Sequence, residues 1–140
     1  MKKLFAIAIF ILLIPCANAG EMHSGDTGVF TVLSWGGGMS TSSYRVLKKS
    51  EVWSIERKEL GGNWKIDICN SDCDFRTATE DEIKAILSPR WRSDYSISCI
   101  INSAQAFCRL DSLDTTSNSI YVMVSFVDGN RIPSRLKRFD

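Results

Sequence analysis

Few side chains in this sequence are of the kinds that perform covalent chemistry near neutral pH: one histidine, His23, and five cysteines, Cys16, Cys69, Cys73, Cys99 and Cys108. A nucleophile needs a base held within hydrogen-bond reach. His23 falls among the first residues expected after leader removal, where a disordered terminus is the ordinary outcome. Cleavage after Gly20 would make His23 the third residue, letting amine, two amides and imidazole wrap Cu(II) or Ni(II). Ala19 is the better leader end, and it spoils that chelate. The cysteines lack the short paired knuckles of a zinc site and the Cys-x-x-Cys redox spacing, so no metal and no cofactor is expected. Once Cys16 leaves with the leader they form an even set, and two disulfides follow. The neighbouring pairs are the expected connectivity, Cys69 with Cys73 and Cys99 with Cys108, while a bridge between the two regions stays open.

The carboxylates do not assemble an acid–base pair. Glu80, Asp81 and Glu82 have a helix-cap explanation, and Asp72, Asp74, Asp111 and Asp114 sit in turn-like sequence. None stands in an aromatic-lined setting that would lift one pKa above another, so a non-enzymatic protein is expected.

Two segments have the composition of recognition surface. Trp35 to Tyr44, with Gly37 and Met39 among its candidate contacts, is a loop of small residues between aromatic posts, its glycines giving backbone freedom and its hydroxyls adaptable hydrogen bonds. Pro89 to Tyr95 offers Arg90, Trp91, Arg92 and Tyr95, the residue types enriched in interface hot spots. Each has a plainer reading, with Trp35 and Tyr44 buried at the ends of a strand connection and Trp91 closing the core under a helix. The basic tail Arg131, Arg135, Lys137 and Arg138 reads as a solvated edge strand blunted by its cations and Pro133.

Positioning these groups falls to one small domain. Lys2 and Lys3, the apolar run from Leu4 to Ile14 and the Ala17-Asn18-Ala19 site form a secretory leader over residues 1–19, too short to span a membrane. Leu13 and Cys16 resemble two positions of a lipoprotein lipobox, but Pro15 stands where that pattern requires a small residue. Residues 20–140 then make a single β-rich domain. Strand-like alternation runs through 29–35, 44–48, 52–59, 63–69, 95–101, 106–110 and 120–127, with the tail as a last edge. One helix is anchored by a Thr79 to Glu82 capping box and ends at Pro89. The expected fold is an antiparallel α+β sheet of about seven strands, open or barrel-like, with one short helix and a disulfide staple.

Loss of the leader removes Lys2 and Lys3 from 17 cations and nothing from 16 acids, leaving the domain nearly neutral. That argues against a nucleic-acid partner. In size, leader, cysteines and sheet-rich pattern the chain resembles small periplasmic inhibitors and immunity proteins, a resemblance of class without a diagnostic motif. It implies stoichiometric recognition of a hydrolase or toxin in the periplasm. The alternatives are an envelope assembly component that adds a strand at the 131–139 edge, and a glycan-binding module or weak cell-wall hydrolase using the tryptophans.

Overall fold

The computed structural model describes residues 20–34, 36–67, 69–114 and 117–139. The expected leader, Trp35 and Ile68 lie outside the described residues. A 3-10 turn, Ser24–Asp26, leads into β1 (Gly28–Leu33), β2 (Met39–Lys49), β3 (Val52–Lys58), β4 (Lys65–Ile66) and β5 (Arg76–Thr77). Helices α1 (Glu80–Ile86) and α2 (Pro89–Asp94) follow, then β6 (Tyr95–Ile101), β7 (Gln105–Ser112), β8 (Ile120–Val127) and β9 (Asn130–Phe139). The strands form one antiparallel sheet in the order β4-β3-β2-β1-β9-β8-β7-β6-β5.

That order makes β9 the joint of the molecule. Residues from Asn130 to Leu136 pair with β8, and residues from Leu136 to Phe139 pair with β1, so the strand is handed from one half-sheet to the other at Leu136. The tail is therefore no outermost strand, contrary to the sequence reading. Its edge signal has a local cause: Pro133, which lacks an amide hydrogen, lies opposite Val124 in the stretch paired only with β8. The true outer strands, β4 and β5, are two residues each, a length that leaves little template for strand addition. Of the 131–139 stretch read as an edge, residues 136–139 are covered by β1 and only residues up to Arg135 keep that side open.

The sheet curls until its halves touch. β1 and β7 are separated by β9 and β8, yet the Phe30 and Phe107 rings lie 5.1 Å apart and Phe107 stacks on Tyr121 at 5.6 Å. This inner face gathers Met22, Phe30, Tyr44, Val46, Trp53, Ile55, Ile100, Phe107, Met123 and Leu136. A second cluster lies on the outer face of β6 to β8, where Ile97, Cys99, Leu110, Val122 and Val124 pack under Ile83, Ile86 and Leu87 of the α1 segment. Strands β6 to β8 are thus buried on both sides, as the two-faced apolar pattern of residues 120–127 requires.

Helix α1 starts as its sequence dictates: the Thr79 hydroxyl accepts from the Glu82 amide, and the Glu82 carboxylate accepts from the Thr79 amide at 2.8 Å. Pro89 ends nothing by itself. It opens a second helix at its first position, where the missing amide hydrogen has no partner to lose and φ is already helical. Both disulfides join sequence neighbours. Cys99 and Cys108 face each other in register with Cα atoms 4.1 Å apart, and Cys69–Cys73 closes a three-residue loop.

The start of the domain is pinned, and the expected disordered terminus is corrected. Met22 is buried in the inner cluster, and a Cβ at Gly20 would lie 2.5 Å from Ser98 Oγ. Asp26, 3% exposed, accepts from the His23 amide and Arg109 Nη1, both at 2.7 Å, and from the Tyr121 hydroxyl at 3.0 Å. Burial and then this bond to Asp26 raise the Tyr121 hydroxyl above its ordinary range. Arg138 clamps the same segment by donating to the carbonyls of Gly25 and Thr27.

Candidate functional site

The two segments singled out from sequence are not brought together. β1 and β6 run in the same sense, and the 34–38 turn leaves the end of β1 whereas α2 enters the start of β6, so they lie at opposite ends of the sheet. The glycine segment is no long loop, because strand β2 begins at Met39. Ser34 donates its amide to the Gly38 carbonyl at 2.8 Å, and Gly37 turns the chain at φ +79°, a conformation side chains resist. Met39 projects into solvent at 60% exposure, but Tyr44 is 7% exposed inside the core and offers no contact surface. Its buried hydroxyl is raised above the usual range by desolvation, against the opposing effect of Arg57. Around α2, Arg90 is exposed, while Trp91 and Tyr95 pack half-buried on the outer cluster and Arg92 is half-buried.

A different surface emerges from the registers. Because opposite residues share a face and successive residues along a strand do not, inward Phe30, Val32, Tyr44 and Val46 with their partners leave the residues between them as the outward set on β9, β1, β2 and β3. Facing outward are Arg131, Arg135 and Lys137 of β9, Arg45 and Lys49 of β2, and Glu56 and Lys58 of β3, interleaved with Val29, Thr31, Leu33, Ser43 and Leu47. No α-helix among the described residues packs on this outer face. Glu56 is bound by Arg45 at 2.5 Å, and the Trp64 ring lies between cations, 4.8 Å from the Arg45 guanidinium and 5.0 Å from the Lys58 ammonium.

A cleft of about 440 Å³ opens where β9 changes partner. Leu33, at the end of β1, and Asn118, Ser119 and Ile120, at the start of β8, form its walls, with Arg135 and Lys137 along β9. Arg135 and Lys137 are exposed and have no carboxylate at ion-pair distance among the described residues. Sequence reasoning named these cations but placed them on an edge, and nothing local marks the hand-over that creates the cleft.

The acids collect elsewhere. Asp72, Asp74, Arg76, Glu82, Ile101, Asn102 and Ser103 line a second cleft of about 470 Å³ beside the Cys69–Cys73 loop. There the Arg76 guanidinium grips both Glu82 oxygens, at 2.5 and 2.8 Å, and with the Thr79 amide lowers that carboxyl to about 2. Near-neutral net charge therefore hides a basic bare face and an acidic helix end. Among the described residues no three His, Cys, Asp or Glu side chains converge to hold a metal ion, and no helix is long and apolar enough to cross a membrane. The chain matches no protein-family model, no curated protein and no solved structure.

Proposed function

We propose that the chain is an exported, non-enzymatic binding domain of the periplasm, an inhibitor or immunity-type protein that neutralises a hydrolase or toxin by stoichiometric recognition. The observation that carries this reading is the outer face of β9, β1, β2 and β3, left bare while the same face of β6 to β8 is sealed by helices. Its side chains stand on paired strands and need little ordering when a partner docks. The leader pattern and two disulfides supply the export half of the argument. Trp53 is in the core, Trp91 packs half-buried on the outer cluster and Trp64 is half-buried beside Arg45 and Lys58, so the tryptophans described do not form one shared platform.

The test is capture by the oxidised domain of residues 20–140 from envelope and secreted fractions of the producing cell, followed by titration of whatever activity the retained protein has. A single partner retained at one-to-one ratio and silenced on titration supports the proposal. Retention of cell-wall fragments alone, or a partner whose activity is untouched, overturns it.

A further inference from the structure

We infer that the bare face is a docking surface for an acidic protein, and that one Asp or Glu side chain of that partner enters the cleft at the β9 hand-over between Arg135 and Lys137; this rests on the recognition reading above and gives it a partner chemistry. The charge on this domain is segregated: among the described residues, cations on the bare half outnumber the one outward strand carboxylate, Glu56, which Arg45 already holds. The cations of the cleft are different, because Arg135 and Lys137 are exposed and carry no ion pair among the described residues. The neighbouring Asn118 adds a neutral hydrogen-bonding group, while the Ser119 hydroxyl already donates to Asp111 Oδ1 at 2.6 Å, so a carboxylate seated there is met chiefly by the two cations.

Two features favour a protein over a lipid or nucleic-acid polyanion. The cations stand singly among Thr31, Ser43, Leu33 and Leu47, a mixed surface that pairs with another mixed surface better than with a uniform row of phosphates. The most exposed apolar side chains, Leu60 and Ile66 at 81%, lie around the β3–β4 turn, and β9 itself carries only the less exposed Ile132 and Phe139 beside its cations, a smaller apolar surface than a lipid face would need. The acidic helix end repels the same partner and so orients its approach.

The experiment titrates the oxidised 20–140 domain against three defined probes, immobilised poly-glutamate, phosphatidylglycerol vesicles and duplex DNA, in about 50 and about 200 mM salt. Poly-glutamate should bind best, weaken with salt, and lose roughly tenfold or more in affinity for the Arg135→Glu/Lys137→Glu variant. Glu80→Gln/Asp81→Gln, at the acidic end, serves as control and should bind as the parent does. Stronger binding to vesicles or DNA, no binding to any probe, or equal loss in the control would each overturn the inference. Circular dichroism of both variants separates lost binding from lost fold. Should capture yield a one-to-one partner that the doubly reversed variant still binds, the acidic-partner inference falls and the recognition reading stands; should capture yield no such partner, the recognition reading falls whatever the probes show.

Discussion

Strands β6 to β8 and strands β1 to β3 begin with the same outer face, the alternate residues of antiparallel strands, and diverge in what lies over them. On the first group those residues are Ile97, Cys99, Leu110, Val122 and Val124, roofed by α1 and α2. On the second they are Thr31, Ser43, Arg45, Leu47 and Lys58, of which Thr31 is buried and the rest are half-buried, with no α-helix above them among the described residues. The inner faces of both halves share one cluster, so the difference is confined to a single side of a single sheet. One half seals that side with helices and the other carries no α-helix there among the described residues. The price of the division falls on β9, which must serve both halves in turn.

The comparison breaks most directly at two leucines. Leu110 lies on the outer face of the covered half and Leu47 on that of the bare half. Leu110→Ala is expected to cost about 4 kcal/mol by cavity formation, and Leu47→Ala less than about 1 kcal/mol, in urea titrations. Equal costs would show that the bare half is sealed in solution.

Next in size is Asp26→Asn, which leaves the Arg109 guanidinium without the buried charge it faces. A loss of about 3 kcal/mol and faster proteolysis near residue 22 are expected, since Asp26 ties the first segment to both β7 and β8. The disulfides sharpen the contrast further. Cys99 and Cys108 are 1% and 0% exposed, whereas the Cys69–Cys73 loop lies at the surface. Removing the buried bridge should cost about 2 kcal/mol and removing the surface one less, and mild reductant followed by alkylation should label Cys69 and Cys73 first.

Smaller again is the acid dependence of Glu82. Its carboxyl titrates near 2 in the fold, held down first by Arg76 and then by the Thr79 amide, against 4.5 ordinarily. A lowered carboxyl contributes stability in full above the ordinary value, and that contribution is lost as pH falls through the folded value. Glu82→Gln should therefore flatten the thermal stability profile between about pH 4.5 and about pH 2. At neutral pH it should cost about 1 kcal/mol through the weakened cap. Smallest is Arg135→Glu/Lys137→Glu, which should leave stability within about 0.5 kcal/mol, because both side chains are exposed and unpaired by carboxylates among the described residues.

What could be read in advance was what short-range pattern controls. Alternation located the long strands, the Thr79 box located α1, and the spacing of Cys99 and Cys108 located a hairpin. Strand β5 escaped because two residues carry no period, and α2 escaped because Pro89 marks helix starts as well as ends. The surface proposed for recognition was the least legible part. Whether Tyr44 and Arg45 face core or water is a matter of register, and register is settled by partners far along the chain. Arg135 and Lys137 were visible as cations; that they flank a cleft depends on β1 and β8, contacts that no window of sequence contains.

The first and last long strands of the chain are neighbours, with β9 between β1 and β8. During synthesis the residues from 20 to 129 emerge while the strand that joins their two halves is still missing. Until Asn130 to Phe139 arrive, β1 and β8 each present an open row of amides and carbonyls. The molecule thus has a period of vulnerability set by chain order, in which two half-sheets must be kept from pairing with other chains, and its folding rate is tied to a contact between its beginning and its end.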